Sequence, residues 1–236
     1  MNQILKEIEK DLKAEVDLEY KKGAERYFKE PITVRGVRTP IVRKIAANYF
    51  KQVKHLPKKE VFNLCDSLLA VGFGEERQIA FDWAYRLKKS YSKEDFSLFE
   101  SWVEKHVTNW AACDDFCTHS LGYFLLEFPE FLPKLNQWAK SSNRWFRRAS
   151  AVSLIPAVRK DKKFLSNAFK ISETLLLDDE DLVQKGYGWL LKEASNNFEP
   201  EIFNFVLKHR QVMPRTALRY AIEKMPENKR KQAMSK

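Results

Sequence analysis

Asp114 lies four residues after Trp110 in the stretch Asn109-Trp-Ala-Ala-Cys-Asp-Asp115, a spacing that sets a carboxylate and an indole on one helical face. Asp115 falls about 100° further round and points elsewhere. A fixed carboxylate stabilises positive charge developing on a reacting centre, and an indole face attracts cations. The surroundings of Asp114 are basic. Arg43, Arg77, Asp114, Arg148, Lys185 and Arg219 follow one another at separations of 34, 37, 34, 37 and 34 residues, so five rungs of this row are cations and one is an acid. An acid in such a row is costly near a polyanion, which suggests a specific task. The alternative is an acid that neutralises Arg77 or Arg148, and these residues alone lean slightly towards it.

Other chemistry finds little support. Cys113, Cys117 and His119 superficially resemble a metal site, but on a regular helix His119 lies some 240° round from Cys113, and no second ligand cluster completes a set. Buried free thiols are the better reading. His55, His106, His119 and His209 have no triad-like context, and no nucleophile elbow, Walker loop or G-x-G-x-x-G occurs. Gly72-Phe-Gly74 is a weak signal even for phosphate. Of the six tryptophans, Trp83, Trp102, Trp138 and Trp145 read as core. Trp110 and Trp189, close in register to the polar row, read as exposed beside it.

The elements that position these residues are helices in series. Thr39-Pro40 marks a capped helix start, Pro57 another, Ser92 with Lys93-Glu94-Asp95 a third, and Asn109 and Asn143 cap two more. This makes about a dozen helices with short connections. Three residues beyond each rung stand Ala46, Ala80, Cys117, Ala151, Gly188 and Ile222, small in five of six cases. Two residues beyond stand Ile45, Ile79, Phe116, Ser150, Tyr187 and Ala221, mostly apolar. A unit of this length suits two helices and their turns, and the small position suits close helix approach. The expectation is all-α: an α-solenoid of helical repeats forming one domain over residues 1–236, with the polar row along a concave basic cleft that tracks a phosphate backbone. A solvated helix face is the plainer alternative.

The 44% of hydrophobic residues provide a core and argue against disorder, and only seven glycines and nine prolines argue against an all-β fold. Lys and Arg number 42 against 32 acids, a net charge of +10 that makes nucleic acid the first candidate partner. No apolar run is long enough for a membrane span. The acidic, amphipathic N-terminus fits neither a signal nor a transit peptide, and three cysteines fit a reducing compartment, so the expected location is the cytoplasm.

Five stretches, RYFKE around Tyr27, GVRTPIVRK at 36–44, NWAACDD at 109–115, RWFRRASA at 144–151 and KGYGWLLKE at 185–193, resemble the AlkD-type DNA alkylation repair glycosylases in order and spacing. That family is built from HEAT-like repeats. The resemblance implies a catalytic aspartate at Asp114, cleft aromatics at Trp110 and Trp189, an arginine holding the DNA backbone at Arg148 and a DNA-facing tyrosine at Tyr27. Asn109 stands where active relatives often carry a second tryptophan, and Asp115 adds an acid; both departures bear on substrate range. The implied activity is hydrolysis of the N-glycosidic bond of N3- or N7-alkylated purines in duplex DNA, by a monomer that needs no metal or organic cofactor and leaves the base unflipped. Two other readings remain: a non-catalytic binder of damaged or branched DNA, and a protein-interaction scaffold.

Overall fold

Residues 3–235 are described by a computed structural model, and among them every regular element is helical. The chain runs through α1 (Gln3–Ala14), α2 (Leu18–Tyr27), α3 (Thr39–Val53), α4 (Lys58–Val71), α5 (Gly74–Arg86) and α6 (Asp95–His106). It continues through α7 (Trp110–Phe116), α8 (Gly122–Glu127), α9 (Leu132–Trp138), α10 (Arg144–Val152) and α11 (Ile155–Lys160). Last come α12 (Leu165–Thr174), α13 (Asp181–His209), α14 (Arg215–Ala221) and α15 (Glu227–Met234). A π-helical turn, Cys117–Leu121, joins α7 to α8. Contacts divide the chain into two units, one ending at Asp95 and one beginning at Phe96.

Local chemistry accounts for several boundaries. Asn109 caps α7 by accepting from the Ala112 N–H at 2.9 Å, and Asn143 caps α10 through the Trp145 N–H at 2.9 Å, as their side chains suggested. One expected start shifts. Thr39 is already helical, with Arg38 in the cap position and Pro40 in the first turn, where its missing N–H costs nothing. The Asp95 carboxylate reaches back to accept the Ser92 N–H at 2.8 Å, the capping-box contact of a helix entered at Ser92, and regular α6 geometry follows from Asp95. Inside α13, Phe198 leaves helical geometry at φ −135°, ψ 45°, two residues before Pro200, whose ring and absent N–H break the ladder there.

In the first unit, α3 packs on α5, and α4 on α5. The Glu75 carboxylate, at the start of α5, accepts the N–H groups of Arg35, Gly36 and Val37 at 2.9, 2.8 and 3.0 Å and so fixes the segment entering α3. Gly36 takes φ 102°, and a Cβ there would lie 2.7 Å from Lys21 Cβ. In the second unit, Phe96, Phe99, Trp102, Phe116, Phe124, Phe131 and Trp138 form a continuous aromatic core at ring separations of 4.6–5.9 Å.

The repeat register carries through to burial. Ala46, Ala80, Cys117, Ala151, Gly188 and Ile222 are all buried, and so are Ile45, Ile79, Phe116, Ser150, Tyr187 and Ala221. Gly188 shows why the first position is small: a Cβ there would stand 2.7 Å from Tyr220 Cβ and 2.9 Å from the Ala217 carbonyl of α14. Helices about one repeat length apart are tied to each other. Side chains 34 residues apart bond in the pairs Arg148–Asp114 and Arg159–Glu193, and Trp138 bonds Glu100 across 38.

Candidate active site

Asp114 sits near the end of α7, a short helix fixed at one end by Asn109 and continued at the other by the π turn. Thr118 donates its hydroxyl to the Asp114 carbonyl at 2.7 Å, inside the region where the hydrogen-bond ladder changes pitch. The carboxylate is gripped by Arg148 of α10: Nε donates to Oδ1 at 2.9 Å and Nη2 to Oδ2 at 2.7 Å. The third arm of the guanidinium, Nη1, donates to the Leu182 carbonyl in α13. Arg148 therefore bridges α7, α10 and α13, and it lies against Gly186, where a Cβ would meet its Cγ at 3.2 Å.

The two partners differ in access to water. The Arg148 side chain is 6% exposed, whereas that of Asp114 keeps 19%. Burial pushes the Asp114 carboxyl above the ordinary aspartate value, and the charge and hydrogen bonds of Arg148 oppose the rise. Burial also works against the charge of Arg148, but Asp114 outweighs it, so the guanidinium keeps its proton. The pair loses its charge balance only by protonation of Asp114.

The aromatic residues divide as their register suggested. Trp83, Trp102, Trp138 and Trp145 are buried, while Trp110 and Trp189 are partly open. Trp189, on α13 one turn beyond Lys185, donates its indole N–H to Glu193 at 3.1 Å. In the first unit, Tyr27 ends α2 with 71% of its surface exposed and its ring edge-on to Phe28. Asp115 turns away, its side chain 39% exposed beside His119.

The basic rungs are not equivalent. Arg43 is exposed on α3, while Arg77 on α5 is buried and its positive charge is disfavoured by desolvation. Lys185 pairs with Asp181 at 2.6 Å. Arg219 is exposed between two surface depressions, one of about 490 Å³ shared with Lys185, Arg215 and Tyr220, the other of about 430 Å³ shared with Arg230 and Lys231. Arg148 is turned inward, with three of its five N–H donors engaged within the protein. The neutralising partnership weighed for Asp114 is present, with Arg148 as the partner.

The sequence reading did not single out Glu193 or the pair Arg147–Asp178, where Arg147 Nε meets Asp178 at 2.6 Å. Glu193 had one visible signal, its place four residues after Trp189 on the same helix. The three cysteines are free and buried. The Cys113 and Cys117 sulfurs are 4.0 Å apart, and burial pushes the Cys113 thiol up. Among the described residues no group of three metal-ligating side chains gathers, and no helix is long and apolar enough to cross a membrane.

Together these features define an all-helical protein with a guanidinium-clamped acid and half-open indoles on a strongly basic chain. The profile of the family described as "DNA alkylation repair enzyme" matches residues 8–225, and the chain belongs to that family. A solved structure, a predicted DNA alkylation repair enzyme from Enterococcus faecalis, superposes with a TM-score of 0.80 at 17% identity, covering 90% of this chain and 98% of that one; the likeness is one of fold. No curated relative matches.

Proposed function

We propose that this protein is an AlkD-type DNA glycosylase that hydrolyses the N-glycosidic bond of N3- and N7-alkylated purines in duplex DNA. The observation that carries the proposal is a carboxylate held rigidly by Arg148 yet still reaching solvent. Alkylation at N3 or N7 makes the base cationic and weakens its bond to the sugar. As that bond breaks, positive charge grows on the deoxyribose. Each Asp114 oxygen keeps a lone pair not engaged by Arg148, so the carboxylate can face this charge and orient the attacking water. Trp110 and Trp189 offer π faces to the cationic nucleotide. Exposed cations at Arg43 and Arg219 would hold phosphates, Lys185 would join them on release from Asp181, and Tyr27 would face the duplex. No lysine is assigned as a Schiff-base nucleophile, so the product is an abasic site. Lesion removal without flipping suits the absence of a base-sized pocket motif in the sequence.

The experiment is release of 7-methylguanine and 3-methyladenine from alkylated duplex DNA by the purified protein. Asp114→Asn should retain DNA binding while excision falls by about 10² or more. A second reading is favoured by one observation, the charge balance of the Asp114–Arg148 pair: a non-catalytic binder would use that acid only to hold α7 to α10. Absence of alkylpurine release by the parent protein, with duplex binding intact, would establish that reading instead.

A further inference from the structure

Glu193 is a buried carboxylate where α11, α13 and the turn after α14 meet, and the site described above gives it no task. Four side chains converge on it. Arg159 donates through Nε at 3.0 Å and Nη2 at 2.9 Å, Trp189 through Nε1 at 3.1 Å and Asn196 through Nδ2 at 3.2 Å, while Lys224 Nζ lies at 3.5 Å. The cations need this acid less than it needs them. The Arg159 and Lys224 side chains are 50% and 44% exposed and can turn to water, whereas Glu193 is 8% exposed. Trp189 is the member with a candidate functional face. An indole N–H only donates, and with that one donor fixed the ring loses its freedom to rotate about the helix. An anionic acceptor also draws positive charge along the N–H bond, which enriches the π face that a cation would meet.

We propose that Glu193 is the positioning residue for Trp189, fixing the indole plane and strengthening its face for a cationic nucleotide. The inference rests on the glycosylase reading and is separable from it. Burial works against the charge of Glu193, but Arg159, the Trp189 N–H and Lys224 outweigh it and hold its carboxyl below the ordinary glutamate value.

The test is a double-mutant cycle between Glu193→Gln and Trp189→Phe, read by single-turnover release of 7-methylguanine and by affinity for undamaged duplex. Glu193→Gln is expected to slow excision about five- to tenfold with affinity unchanged, and to have no further effect once Trp189 is phenylalanine. Arg159→Ala, which unclamps the carboxylate without emptying its site, should show the same dependence on Trp189. Parent-like excision in Glu193→Gln, or losses that multiply in the double variant, would overturn the proposal. A second readout does not depend on activity: the indole N–H resonance that disappears in Trp189→Phe should move upfield in Glu193→Gln or Arg159→Ala. If that resonance stays put in whichever variant folds, Glu193 does not act on Trp189. If the parent releases no alkylpurine while the resonance moves, the glycosylase reading fails and the positioning contact stands.

Discussion

The bidentate contact of Arg148 restricts the Asp114 carboxylate to one orientation, and burial of the pair makes its protonation state the variable that pH controls. Since the Asp114 carboxyl lies above the ordinary aspartate value, the acid limb of excision should appear at higher pH than for a free aspartate. In the proposed reaction Asp114 acts as the carboxylate, so the rate is expected to fall as pH drops through that raised value. A pH profile of single-turnover excision checks this, and the limb should vanish in Asp114→Asn. Asp115→Asn should stay close to the parent in both rate and profile, because that side chain is turned towards His119 and solvent. Much of this site was legible in the sequence. The register separated Trp110 and Trp189 from four core tryptophans, and it brought Asp114 and Arg148 to equivalent places one repeat apart. What it could not supply was the direction of Arg148, which depends on how closely α10 approaches α7 and α13.

At the level of helices, small residues decide how near the axes come. Gly188→Ala would improve helix propensity but drive a Cβ into Tyr220 Cβ and the backbone of α14. It is expected to destabilise the protein by about 1–3 kcal/mol, measured by chemical denaturation. Glu75→Ala acts on the other unit. It would leave the buried Gly36 and Val37 N–H groups without their acceptor, at about 1–3 kcal/mol each, so urea unfolding of this variant should begin earlier. The small position three residues after each rung was readable without coordinates because close packing of helices filters residue size at a fixed phase. The start of α3 was not. A Thr-Pro pair fits two neighbouring cap positions, and the cap falls on Arg38, whose carbonyl accepts the Ile41 and Val42 N–H groups. The π turn at Cys117–Leu121 left no mark either, and it voids the regular-helix angle by which His119 was set apart from Cys113.

For the molecule as a whole, the excess of ten positive charges predicts duplex binding that weakens steeply with salt. Arg43→Ala and Arg219→Ala should each flatten the slope of log K against log[salt] by roughly 0.9, since each removes an exposed cation whose phosphate contact would release one counterion. Arg148→Ala should leave that slope nearly unchanged while damaging excision, because its guanidinium faces Asp114 and Leu182. Fluorescence titration of a labelled duplex at several salt concentrations separates the three variants. The ties that join helices one repeat apart also set how the chain finds its structure. In the second unit they link residues 34 to 38 apart, such as Asp114 with Arg148, Arg159 with Glu193 and Glu100 with Trp138. Each tie closes a loop of about the same modest length, and none waits for a distant segment to arrive. Closure entropy is thus incurred in small, similar instalments, and folding of this unit can begin at any adjoining pair of helices and spread. Amide protection should accordingly grade along the chain from the α9–α10 neighbourhood to α15 rather than switch on everywhere at once, as hydrogen exchange would record.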